Sequence, residues 1–182
     1  MRTLLSVLIV LALNANASIQ KQAIMCESKM CFYYWPELPN IKGWSQDKQN
    51  SLYYHANTQA PDGYNFGNAE SVIYAKAIYK PEQPESKTLE EFIANDHKSF
   101  FVQDPSLIIK ELKSVKNSNG VKLFTYSFAP KNQGNWEIVT YGEEIDKDGN
   151  QYYLNFVLSS RSESALKKSF EDYKKFVSTY KP

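Results

Sequence analysis

The chain has little of what catalytic sites are usually built from. Among 182 residues there are two histidines and two cysteines. Zinc calls for about four ligands, and neither His55 nor His97 stands at a ligand spacing from Cys26 and Cys31. The run Cys26-Glu-Ser-Lys-Met-Cys31 places four residues between the thiols, where a Cys-x-x-Cys redox site has two. No metal and no cofactor are therefore expected. Gly-x-Ser-x-Gly is absent, as are a glycine-rich phosphate loop and a dinucleotide fingerprint. Asp146, Asp148 and Asn150 alternate as a calcium loop opens, but Gly149 falls at the fourth position rather than the sixth, and Val157 stands at the twelfth, where glutamate belongs. A hairpin turn is the simpler reading. Ser159-Ser-Arg-Ser162 has no indicated histidine partner and reads as a strand end followed by a helix N-cap. His97 follows Asp96 in a helical stretch, where successive side chains diverge and do not orient each other. It reads as a histidine at the rim of a packed face rather than a general base. No nucleophile, base or metal falls in mutual reach, so catalytic residues: none, and no enzyme activity is expected.

An excess of one charge is also missing. There are 21 basic and 20 acidic residues, and loss of Arg2 with the leader leaves 20 of each. Lys167, Lys168, Lys174 and Lys175 are interleaved with Glu171 and Asp172, which is the pattern of a solvated helix face. A nucleic-acid or anionic-membrane partner, which calls for a basic cluster, is not expected. The one long apolar run is at the start: Met1-Arg-Thr3, then Leu4 to Leu13, then Asn14-Ala-Asn-Ala17. A basic start, a short apolar stretch and a small-x-small end predict a secretory signal over residues 1–17, cleaved after Ala17, and no membrane span. The mature protein is then expected to be soluble and periplasmic or secreted. In that oxidising compartment Cys26 and Cys31 are most simply a disulfide. Closing so short a loop is worth only about 2 kcal/mol. Its expected role is to staple the segment 18–40 and hold Phe32 to Trp35 against the rest.

About 165 mature residues suit one domain, expected over 41–182. There is no internal repeat and no low-complexity tract. Ser71–Tyr79, rich in β-branched and aromatic residues, reads as a strand. Thr88-Leu-Glu-Glu91 is a capping box, and Leu89, Phe92, Ile93 and Phe100 continue at helical spacing, predicting a helix over 89–101. Strands are expected at 107–116, 121–128, 136–144 and 152–159, with Asn117-Ser-Asn-Gly120 and Asp146-Lys-Asp-Gly-Asn150 as turns. His55, with Tyr53 and Tyr54, reads as part of another strand. Leu166, Phe170, Tyr173, Val177 and Tyr180 recur every three or four residues and predict an amphipathic helix over 162–179. Such an apolar stripe must bury against something, and the sheet is the available surface. The expected class is α+β, an antiparallel β-sheet with helices packed on its faces.

Five segments occur in a suggestive order: Ile41-Lys-Gly-Trp44, Thr88-Leu-Glu-Glu-Phe92, Gly120-Val-Lys-Leu-Phe-Thr-Tyr-Ser-Phe128, Asp148-Gly-Asn-Gln-Tyr-Tyr-Leu154 and Phe176-Val-Ser-Thr-Tyr180. In this order the chain resembles the PsbP-like family. The resemblance implies an α-β-α sandwich and a non-catalytic accessory or assembly role. It implies no particular partner and transfers no functional residue. The Cys26/Cys31 segment has no counterpart in the family's pattern.

Most aromatics belong to the expected strands. Tyr64 and Phe66 do not: they lie in Pro61-Asp-Gly-Tyr-Asn-Phe-Gly-Asn68, while Trp136 follows Lys131-Asn-Gln-Gly-Asn135. Loop aromatics beside Gly and Asn suit a contact surface; loops also fold back so that such rings cap the core. Both readings stand at this point. The expected function is a non-catalytic binding or accessory protein of the cell envelope, with Tyr64, Phe66 and Trp136 as contacts for another envelope or secreted protein. The alternatives are a carrier of a small apolar ligand and an immunity or inhibitor protein acting against an exported toxin.

Overall fold

The computed structural model describes residues 18–182, so the expected signal segment lies outside the described residues. The elements run β1 (Ile19–Cys26), β2 (Lys29–Pro36), β3 (Trp44–Gln46), α1 (Lys48–Tyr54), β4 (Asn57–Pro61), β5 (Ser71–Tyr79), α2 (Leu89–Gln103), β6 (Ile108–Glu111), β7 (Val115–Lys116), β8 (Lys122–Ala129), β9 (Trp136–Ile145), β10 (Gln151–Ser160) and α3 (Glu163–Thr179). The strands join in the order β1-β2-β5-β10-β9-β8-β6, and every pairing is antiparallel. One edge of β5 is shared. β4 pairs with it from Asn57↔Ala75 to Gln59↔Ile73, while β2 reaches it only at Tyr34↔Ala77.

The central strand shows why the described residues form two large apolar clusters, beside a small third of Ala60, Ala69 and Val72. Successive β residues point to opposite faces. In β10, Leu154, Phe156 and Leu158 therefore enter one cluster with Leu166, Tyr173, Phe176 and Val177 of α3. Tyr153 and Val157 enter another with Leu89, Phe92 and Ile93 of α2. A strand buried on both faces reads as an almost unbroken apolar run, as β10 does. Ser162 caps α3 by accepting from the Ala165 amide, and Thr88 with Glu91 completes the capping box of α2. The phenol of Tyr173, fully buried, lies 2.7 Å from the Thr140 hydroxyl and 2.9 Å from the Phe156 carbonyl, so its one polar atom is satisfied inside the core.

The structure corrects the expected class. Among the described residues it is mostly an antiparallel β-sheet, 41% strand against 25% helix, with three short α-helices, and not an α-β-α sandwich. The reason lies in segments whose strand character is masked in the sequence. Residues 19–36, expected only as a stapled segment, form the β1–β2 hairpin, and Trp44–Gln46 and Asn57–Pro61 add two more strands. Tyr53 and Tyr54, expected in a strand, lie in α1 instead, because Asp47 caps that turn by accepting from the Asn50 amide, and His55 closes it in the left-handed region at φ 54°. The expected strand 107–116 is two pieces, β6 and β7.

Candidate functional site

Three places bring polar or aromatic groups together. The first is built by Asp47. Its carboxylate accepts from the Asn50 amide and side chain and also from the Phe66 amide at 2.9 Å, tying the loop after β4 to α1. Burial alone raises the Asp47 pKa, but the bonds from Phe66 and Asn50 outweigh it and hold the carboxyl below the usual range. The consequence is an aromatic chain: Tyr53 edge-on to Tyr54 at 4.8 Å, Tyr54 over Phe66 at 4.3 Å, and Phe66 near Tyr74 at 6.2 Å. Tyr53 is 74% exposed and Tyr64 59%, whereas Phe66 is partly buried against Ala60, Ala69 and Val72. The two loop readings are thus divided between neighbours: Tyr64 faces solvent and Phe66 folds back. Trp136 does not join them, since it packs against the cluster under α3. Tyr53 and Tyr54, assigned above to a strand, are the members of this patch that sequence reasoning missed.

The second place lies under α2. Asp96 accepts from the Tyr141 phenol at 2.6 Å. Burial raises its pKa above the usual carboxylate range, even though Tyr141, His97, Asn155 and Lys76 favour the ion. Burial likewise lowers the pKa of Lys76, with Asp96 opposing. His97 turns its ring edge to Tyr126, Phe128 and Tyr141 at 4.7, 5.4 and 5.9 Å. Its buried Nε2 has no partner among the described residues, and burial lowers its pKa. Asp96 is therefore turned to a tyrosine rather than to the imidazole, and the pair is not a carboxylate–histidine base. His55 is likewise engaged elsewhere, stacked on Tyr33 at 3.6 Å.

The third place is a cleft of about 1040 Å³ between the start of β1 and the β9–β10 turn. Tyr152 and Tyr79 are register partners across β10 and β5, and Tyr34 lies beside Ala77 of the same strand. The three rings meet at centroid distances of 5.3 to 5.9 Å. Asp146 shapes the wall by accepting from the amides of Asp148 and Asn150, the Asn150 side chain and the Tyr152 phenol. These bonds outweigh the effect of burial and lower the Asp146 pKa. The Asp146–Asn150 segment is thus a hairpin turn whose first carboxylate is engaged by the turn itself. Across from Tyr152 in register, Glu144 accepts from the hydroxyls of Ser18 and Tyr180, and burial raises its pKa.

Cys26 and Cys31 are paired at a Cα separation of 5.8 Å across the β1–β2 hairpin. They lie diagonally on one of its faces, beside the Glu27–Ser28 turn. Among the described residues no helix is long and apolar enough to cross a membrane, and no group of His, Cys, Asp and Glu is arranged to hold a metal ion. No protein-family model matches the chain, and no curated protein matches it.

Proposed function

We propose that this is an exported, non-catalytic binding protein that contacts another envelope or secreted protein through the patch of Tyr53, Tyr54 and Tyr64, with Phe66 beneath it. The observation that carries the reading is the aromatic chain of Tyr53, Tyr54 and Phe66, rings in mutual contact beside Asp47 with Tyr53 and Tyr54 turned to solvent, and Tyr64 of the same loop exposed as well. Tyrosine supplies contact area and a hydrogen-bonding hydroxyl at low entropic cost, which suits an interface anchor. The disulfide is consistent with an oxidising compartment, and the basic-apolar-small leader supports export by the same route. The PsbP-like motif resemblance points to the same accessory role. Carriage of an apolar ligand has less support, because the cleft beside Tyr34, Tyr79 and Tyr152 mixes amide, charged and aromatic side chains. The test is a pull-down from envelope extract with the wild-type protein and a Tyr53→Ala/Tyr64→Ala variant. A protein retained by the first and lost by the second is expected; no partner, or the same partner with both, overturns the reading.

A further inference from the structure

We propose that the cleft floored by Tyr34, Tyr79 and Tyr152 binds a neutral oligosaccharide. The site follows from where α3 stops. Its first turn lies at the Ser71–Ser160 end of the sheet, where the Ala165 carbonyl accepts from Ser71. At its far end Tyr180 packs on Phe156 and donates to Glu144. Beyond that point the same face of the sheet continues as three tyrosines. Tyr152 is 3% exposed and forms the floor, with Tyr34 and Tyr79 half-buried beside it. The rings are inclined to one another by 38° to 52°, which makes a shallow bowl rather than a stack.

The chemistry around the bowl narrows the ligand. Its walls carry the peptide backbone of the edge strand β1 at Gln20 and Gln22, whose side chains alternate to the face opposite Lys21 and Tyr34, and the Asn150 side chain already held by Asp146. The charges nearly cancel: Lys21, Lys147 and Lys181 stand against Asp146 and Asp148. A phosphate or polyanion would want a clear cationic excess. A wholly apolar ligand would strip water from the amides and give nothing in return. The ligand that satisfies both surfaces has a flat C–H face for the aromatic rings and a periphery of hydroxyls for the amides and charges, which describes a pyranose. At about 1040 Å³ the cleft lies at the upper end of small-ligand sites, so several sugar units fit better than one. The wall is set before binding, since Asp146 already fixes the turn that carries Asp148 and Asn150.

The experiment is calorimetric titration of the purified protein with three neutral probes: linear oligomers of glucose, of N-acetylglucosamine and of mannose. At least one is expected to bind. Tyr79→Ala is expected to weaken it about tenfold, the equivalent of one lost ring contact. Tyr64→Ala, outside the cleft, is expected to leave it unchanged. Because Tyr79 also packs against Tyr152, backbone NMR of the wild type supplies a second readout: shifts at Gln20, Lys21, Asn150 and Lys181 on adding the sugar support the site. No binding by any of the three at about 5 mM, binding unchanged in Tyr79→Ala, or shifts confined to other residues would each overturn it. The protein-partner patch of Tyr53 and Tyr64 is read by the pull-down alone, so the two proposals fail separately.

Discussion

Tyr141→Phe removes one oxygen from the middle of the molecule and almost no volume. The ring is fully buried, edge-on to Phe92, His97 and Tyr126, and those contacts survive the change. What is lost is the donor to Asp96 at 2.6 Å. A hydrogen bond to a charged group is worth about 1.5–3 kcal/mol, so the variant is expected to lose about 2 kcal/mol at pH 7. In a chain of this size that is a fall of roughly 4–8 °C in Tm. The loss depends on pH. Burial raises the folded-state pKa of Asp96 above its unfolded value. The stability tied to this group is therefore fully present below the unfolded pKa and is lost as pH rises through the folded one. The Tyr141 bond opposes that rise in pKa, so removing it raises the folded pKa further and steepens the loss. The gap between wild type and variant is expected to shrink to about 1 kcal/mol at a pH below the folded pKa of Asp96, where the bond joins two neutral groups. Urea unfolding at the two pH values measures this directly, with an unchanged m-value as the check on two-state behaviour. A gap below about 0.5 kcal/mol at pH 7, or the same gap at both, would refute the account.

Two further outcomes test the packing. Gly142 lies in β9 where an added Cβ would run into the side chain of Leu123, itself fully buried, so Gly142→Ala is expected to cost about 1–3 kcal/mol by urea unfolding; a neutral result would show that Leu123 moves freely. Glu144 accepts from Ser18 and Tyr180, and its pKa is raised by burial. Glu144→Gln keeps an acceptor without the charge and is expected to stay within about 1 kcal/mol of wild type at pH 7, while Glu144→Ala leaves the Tyr180 hydroxyl unpaired and costs about 1–3 kcal/mol more. Equal losses in the two variants would contradict the assigned role of the acceptor.

What was legible in the sequence was local. The spacing of Leu166, Tyr173 and Val177 located α3, and the Thr88/Glu91 pair located the start of α2, because each signal sits within a few residues of chain. β5 was legible from apolar, β-branched and aromatic composition, and β10 from the alternation of Tyr152, Leu154, Phe156 and Leu158 on one face. The misreading of the fold class came from segments where local and tertiary preferences disagree. Tyr53 and Tyr54 favour strands by propensity, yet Asp47 turns them into α1. The β1 strand alternates Gln and Lys with only modest apolar residues, so its pairing with β2 is decided by register rather than by pattern. The tyrosine cleft had no sequence signal at all. Residues 34, 79 and 152 meet only because β2 and β10 flank the same end of β5.

The single register pair that joins β2 to β5 makes the β1–β2 hairpin a lever fixed at its base. Trp35, Pro36 and Ile19 are buried at the attachment, while Met25, Met30 and Phe32 stand exposed toward the tip. Amides between Ala23 and Phe32 are therefore expected to exchange with solvent sooner than those of β9 and β10, which hydrogen-exchange measurements check. The Cys26–Cys31 cross-link ties the two strands of that tip together. The base of the hairpin, where Ser18 to Gln22 and Tyr34 wall the tyrosine cleft, is the part anchored to the body, so loosening of the tip leaves that wall in place.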